Sequence, residues 1–212
     1  ILIISNKSDL PKFKRLFGNG KLLGINISYS IQKKPRGLVD AFIVGRKFIK
    51  DDNVSLILGD NLFYGDGLPK LLEESISYVN RNNKAVVFSY TVSNPSKYGI
   101  IKEKKNRIYS LVEKPKKSKS KEAVTGLYIY PNDVINYSKK ISPSRRNEIE
   151  ITDLNKLYLK KNRLELRKLG RGVAWFDTGS AENLYEASQL IRIIEKRVGY
   201  KIGCPEEIAL NN

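Results

Sequence analysis

The chain has 212 residues, 41% hydrophobic with 12 Tyr and 7 Phe, enough for one sizeable packed domain or two small ones and too apolar for a disordered chain. It has no His and a single cysteine, Cys204, which excludes histidine-based catalysis, the usual zinc sites and an internal disulfide, and makes the cytoplasm the default compartment. The net charge is +17, but Lys and Arg are spread along the whole chain, and no apolar run reaches the roughly 20 residues of a membrane span. Membrane is therefore excluded as a partner, and nucleic acid is not expected as the main one; the densest basic run, Lys114 to Lys121, lacks the interleaved aromatics of a single-strand binder. The sequence also has no Met and opens at Ile1 inside an apolar run. The expectation is that it lacks an N-terminal part.

In chain order, residues 1–5 read as a strand. A helix follows from Ser8, the candidate N-cap, to Phe17, with Pro11 in its first turn and Gly18-Asn19-Gly20 at its end. Ile25 to Gln32 alternates as a second strand. From Arg36, apolar residues at Leu38, Ala41, Phe42, Gly45, Phe48 and Ile49 take helical spacing. Val54 to Leu58 reads as a strand buried on both faces, ending at Gly59-Asp60-Asn61. A helix over Leu68–Val79 and a strand over Ala85–Val92 complete a strand–helix alternation. That pattern implies an α/β fold with a mostly parallel, Rossmann-like sheet flanked by helices.

After Pro95 the rhythm changes. Tyr98–Ile101 and Arg107–Val112 look like a β-hairpin inserted into this pattern, with a further strand at Val124–Tyr130. The β-rich insertion covers roughly residues 94–130. A short helix after Pro131, another marked by Ile151, Leu154, Leu157 and Tyr158, and strands at Leu164–Leu169 and Val173–Phe176 lead to a long C-terminal helix over residues 180–199. No repeat or linker interrupts the chain. It reads as one domain over residues 1–212.

Asp60 and Asp177 each end an apolar strand ahead of a turn. In open α/β sheets the ligand crevice lies beyond the carboxyl ends of the strands. Two carboxylates completed by substrate phosphates are a common way to hold Mg²⁺; the alternative is two unrelated turns. Glu113 and Lys114 close the hairpin, where a carboxylate could bond sugar hydroxyls and an ammonium could meet phosphate, or the two could be a solvated pair. Gln32 ends a strand and Gly37 opens the next helix, so both could face a nucleobase edge or simply shape a turn.

Several blocks occur together: Gln32 with Pro35-Arg-Gly-Leu38, Leu58-Gly-Asp-Asn61, Tyr98-Gly99, Val112-Glu-Lys-Pro115, Ala123-Val-Thr-Gly-Leu-Tyr128, Glu148-Ile-Glu-Ile-Thr-Asp153 and Ala174-Trp-Phe-Asp-Thr-Gly179. In this order they resemble the sugar nucleotidylyltransferase family, and the resemblance runs from Ile1 to Ala209. The block Ala174–Gly179 and a C-terminal one, Glu195-Lys-Arg through Glu206-Glu-Ile-Ala209, favour its thymidylyl branch. The resemblance implies transfer of a deoxythymidylyl group from dTTP to glucose 1-phosphate, releasing pyrophosphate, in a homotetramer. It implies Mg²⁺ on Asp60 and Asp177, the catalytic pair, and base contacts from Gln32 and Gly37. It also implies a sugar-phosphate pocket from Tyr98, Gly99, Glu113, Lys114 and Val124, with Arg146 on phosphate. The chain departs from the family in lacking a Gly-x-Gly-Thr-Arg phosphate loop after the first strand, so impaired turnover is expected. Asp40 replaces a polar neutral residue, and Asn147 stands where glycine is usual. The alternative of a different class is a non-catalytic, basic remnant that contacts nucleic acid.

Overall fold

The computed structural model describes residues 1–105, 107–144 and 147–210. Its first half follows the strand–helix alternation. Strand β1 (Leu2–Ser5) leads through α1 (Leu10–Phe17) to β2 (Ser28–Ile31), which pairs with it in parallel, from Leu2 opposite Ser28 to Ser5 opposite Ile31. Ser8 does not cap α1. Its hydroxyl donates to Asn6 Oδ1 at 2.7 Å, and Asp9 stands at the N-cap position with its carboxylate taken by Lys12 and Asn6. The helical segment read from Arg36 is divided at Gly45 into α2 (Asp40–Val44) and α3 (Arg46–Ile49).

Strand β3 (Val54–Ile57) corrects a second expectation. It is not buried on both faces: Ser55 is exposed, as is Ile57 at 58%, while Val54 and Leu56 are half-buried. The reason is that β3 pairs along one edge, with a single neighbour. After it comes an unforeseen strand, β4 (Asn61–Gly65), then α4 (Leu68–Asn82) and β5 (Ala85–Thr91). The hairpin forms from β6 (Gly99–Lys104) and β7 (Arg107–Glu113), followed by β8 (Glu122–Tyr130). The rest is α5 (Val134–Ser138), α6 (Ile151–Lys160), β9 (Leu164–Lys168), β10 (Val173–Asp177), α7 (Ala181–Val198) and α8 (Pro205–Leu210). Ser180 caps α7 as a side-chain acceptor for the Asn183 N–H, and Glu182 sits in the first turn, where the helix dipole favours an acid.

The six-stranded sheet is organised around β8. One edge of β8 carries β5, and the other carries β6 at Ala123 and β3 from Leu127 to Tyr130, all antiparallel to it. Strand β9 pairs with β5 in parallel, so β3, β5 and β9 share one direction and β8 runs against them. Helices flank this sheet as expected, but its ladders are parallel only at β5–β9, because the reversed strand lies in the middle. The physical reason is the connection. A parallel neighbour needs a crossover of a dozen or more residues, usually helical. Between β5 and β8 the chain supplies only a 3-10 turn and the hairpin.

Strands β5 and β8 are buried along most of their length and send alternate side chains into two cores. On one face Val87, Tyr128 and Tyr130 pack with Val39, Phe42, Leu154 and Tyr158. On the other Val86, Phe88, Leu127 and Ile129 pack with Val79 and Trp175. Two of the buried phenols have hydrogen-bond partners: Tyr130 donates to Asn155 Oδ1 at 2.5 Å and Tyr158 to Asp133 Oδ1 at 2.7 Å.

Burial raises the hydroxyls of Tyr128, Tyr130 and Tyr158 above the ordinary value of 10.0, because a phenolate in the core would lose its hydration. These groups keep protons in the folded chain that an unfolded chain would release, so their contribution to stability is intact below pH 10.0 and is lost as the pH climbs above it. Urea denaturation is expected to show a midpoint that falls above pH 10.0. Tyrosinate absorbance from these three residues should develop together with unfolding; its full appearance in a still-folded chain would contradict this.

Candidate active site

A cavity of about 540 Å³ opens beside the carboxyl ends of β2 and β3 and the near end of the hairpin. Eight of the residues singled out from the sequence line it: Gln32, Gly37, Tyr98, Gly99, Glu113, Lys114, Val124 and Asp177. Asp60 borders an adjoining groove against α7. Arg146 lies outside the described residues.

The two aspartates are brought together by β4, the strand that periodicity did not reveal. Strands β4 and β10 pair antiparallel, with Asn61 opposite Asp177. Beyond that pair, Thr178 donates to the Asp60 carbonyl from both its N–H and its hydroxyl, each at 2.8 Å. The small space beside Gly179 is bordered by both side chains. A Cβ built there would stand 3.2 Å from Asp177 Oδ1 and 3.3 Å from Asp60 Oδ2. Two carboxylates flank one space, with no third acidic, His or Cys ligand grouped with them among the described residues; such a pair could hold a hard divalent cation only with further oxygens from phosphate or water.

Asn61 fixes this arrangement. Its Oδ1 accepts from the Gly126 N–H at 3.0 Å and from Trp175 Nε1 at 2.7 Å, while its Nδ2 donates to Asp60 Oδ1 at 2.9 Å. One side chain thereby ties β8 to the β4–β10 pair and orients the neighbouring carboxylate. Gly126 is required for this contact, because a Cβ there would collide with the Asn61 amide.

At the hairpin end, Gly99 and Glu113 stand opposite each other in register. Glu113 Oε2 accepts from the Thr152 hydroxyl at 2.5 Å, so α6 orients the carboxylate. Lys114 follows with φ of 39°, a left-handed conformation that is strained for a non-glycine residue, and its N–H donates to the Tyr98 carbonyl at 3.1 Å. The Tyr98 ring packs on Trp175 at 5.2 Å between centroids. Burial first, and the Asp177 carboxylate second, hold the Tyr98 hydroxyl protonated above its ordinary range.

At the other end Gly37 has φ of 103°, and a Cβ there would stand 2.6 Å from the Ile149 carbonyl oxygen. The segment before α6 approaches this closely because the Ile149 N–H donates to the Arg36 carbonyl at 2.6 Å. Gly37 is thus demanded by the backbone whatever else it does. Asn147, which stands at a family glycine, has φ of 60°; Asn is among the residues that tolerate this region best.

Sequence reasoning left out several cavity residues, Glu148, Glu150, Thr152 and Lys97 among them. The first three fall in a block that carries the family resemblance, but nothing in their spacing shows that α6 starts against the hairpin. The described lining holds four acids, Glu113, Glu148, Glu150 and Asp177, and two cations, Lys97 and Lys114. In a chain of charge +17 the cavity is locally acidic. Such a lining suits sugar hydroxyls and a divalent cation better than a bare polyanion.

The nucleotidyl transferase family model matches residues 1–193, and the chain belongs to that family. It is 44% identical to a glucose-1-phosphate thymidylyltransferase of Neisseria meningitidis, over 100% of this chain and 73% of that protein. It is likewise 44% identical to the enzyme of that name from Mycolicibacterium smegmatis, over 99% of this chain and 72% of that one. Among solved structures, a putative glucose-1-phosphate thymidylyltransferase from Bacillus anthracis in complex with a sucrose superposes with a TM-score of 0.83 at 32% identity, covering 98% of this chain and 79% of that one. A UDP-glucose pyrophosphorylase complexed with UDP-glucose gives 0.76 at 26% identity, covering 89% and 79%.

The Asn61 clamp gives a direct test. Replacing Asn61 with Ala leaves the buried Gly126 N–H and the Trp175 indole N–H without an acceptor. Urea denaturation should show a loss of about 2–4 kcal/mol. A change below about 0.5 kcal/mol would mean that these two bonds do not hold the sheets together.

Proposed function

We propose that this chain binds a deoxythymidine nucleotide-sugar in the cavity, as part of an activity that joins dTTP to glucose 1-phosphate and yields dTDP-glucose and pyrophosphate. The observation that carries this reading is the gathering of Gln32 and Gly37 with Tyr98, Gly99, Glu113 and Lys114 around one cavity, with Asp177 in its wall. The names of the relatives support the choice of substrates.

In this reading Gln32 and the backbone at Gly37 meet the base. Glu113, oriented by Thr152, accepts from sugar hydroxyls, and Lys114 lies against the sugar phosphate. A phosphate oxygen of glucose 1-phosphate attacks the α-phosphorus of dTTP as the bond to pyrophosphate breaks. Asp60 and Asp177 would hold Mg²⁺, which when bound neutralises charge on phosphate oxygens. The bordering carboxylates fit that ion. Cytoplasmic action and a homotetramer belong to the same reading. The exposed Leu184, Tyr185, Ile193 and Val198 of α7 are apolar surface that such an assembly could cover.

We further propose that these 212 residues turn over slowly. No Gly-x-Gly-Thr-Arg segment occurs in the sequence, and Lys97 and Lys114 are the cations that line the described cavity. A triphosphate and a leaving pyrophosphate need a denser set of donors.

Calorimetric titration with dTDP-glucose and Mg²⁺ should show saturable binding that weakens roughly five- to tenfold in Gln32→Ala. Absence of binding, or binding untouched by Gln32→Ala, would count against the site. Steeply salt-dependent retention of DNA with no nucleotide-sugar binding would favour the basic-remnant alternative. Coupled pyrophosphate release with dTTP and glucose 1-phosphate should stay near background. Robust turnover would overturn the slow-turnover proposal while leaving the binding reading intact.

A further inference from the structure

Asp40 is the first residue of α2, and it is 5% exposed. A carboxylate buried to that degree needs a partner. Its partner is the side chain of Gln32, whose Nε2 donates to Asp40 Oδ2 at 3.1 Å. The same nitrogen donates to the Gly37 carbonyl at 3.3 Å, and that carbonyl also accepts the Asp40 N–H at 3.3 Å.

The chemistry of these partners fixes which way the amide faces. A carboxylate and a peptide carbonyl can only accept. Turning the Gln32 amide over would set its oxygen against two other oxygens, so the nitrogen must face them. Both amide hydrogens are then committed, one to Asp40 and one to Gly37. What remains is Oε1, an acceptor that no described residue fills. Gln32 lines the cavity.

We infer that Asp40 is a positioning residue that locks Gln32 into presenting an acceptor to a bound base. This favours a base whose facing ring nitrogen carries a hydrogen, as the imide of uracil or thymine does, over cytosine, whose corresponding nitrogen is itself an acceptor. The inference rests on the reading of Gln32 as a base contact. A neutral amide at position 40 would weaken the lock: turned over together with Gln32 it would keep that bond, and only the Gly37 carbonyl, at 3.3 Å, would then oppose the flipped oxygen. The carboxylate has no donor to turn toward Gln32.

The test compares UDP-glucose with CDP-glucose, which share sugar, ribose and phosphates and differ in the base alone. Both are titrated calorimetrically into the unmodified chain, Asp40→Asn and Asp40→Ser, with Mg²⁺ present. The unmodified chain should prefer UDP-glucose, and the preference should shrink roughly three- to tenfold in both variants. A role of Asp40 confined to the α2 N-terminus would weaken both ligands equally and leave the ratio unmoved. That result, with the unmodified chain still discriminating, would overturn the inference. If the unmodified chain binds neither ligand nor dTDP-glucose, the base-contact reading of Gln32 falls, and this inference falls with it.

Discussion

The side-chain oxygen of Asn61 accepts from two donors that belong to different sheets: the Gly126 N–H on β8 and the indole N–H of Trp175 on β10. Both donor residues are buried, so the cost of losing this acceptor is large for a single side chain. The same amide donates to Asp60. One residue therefore couples the core of the molecule to the carboxylate in the groove that adjoins its cavity. The antiparallel register of β4 and β10 does the rest, because placing Asn61 opposite Asp177 leaves Asp60 and Asp177 flanking the space beside Gly179.

From that anchor the remaining site is assembled by contacts between elements far apart in sequence. The hairpin brings Gly99, Glu113 and Lys114, and α6 orients Glu113 through Thr152. The segment before α6 presses on Gly37, which leads into α2 and the Asp40–Gln32 contact. One end of the cavity is thus braced by the same short stretch, residues 149–152, that braces the other. The local charge follows from this construction. Acids converge on the cavity, while the basic excess of the chain lies mostly elsewhere on the surface.

Local features were the legible ones in the sequence. Helical spacing marked α4 and α7, turn residues marked the hairpin, and strand-end aspartates marked the carboxylate pair, because each of these is decided within a short window. Features decided by tertiary partners were not legible. Strand β4 follows a Gly-Asp-Asn turn and carries no alternating pattern; its pairing with β10 makes it a strand. The reversal of β8 depends on the missing crossover helix between β5 and β8, and apolar content does not encode direction. Ser8 had the chemistry of a cap, but Asn6 took its hydroxyl. Thr152 and Asp40 act through partners that are distant or unremarkable in sequence, so their types alone did not announce them. The family resemblance pointed to the remaining site residues before any geometry did.

Under the proposed function, Asp60 and Asp177 would form one divalent-cation site completed by the phosphates of a nucleotide-sugar. Electron paramagnetic resonance of Mn²⁺, standing in for Mg²⁺, measures this directly, because free and bound ions give distinct signals. Mn²⁺ retention should be weak for the chain alone, rise clearly when dTDP-glucose is added, and lose that gain in both Asp60→Asn and Asp177→Asn. A gain in Mn²⁺ binding that survives both substitutions, or no gain with ligand demonstrably bound, would contradict it.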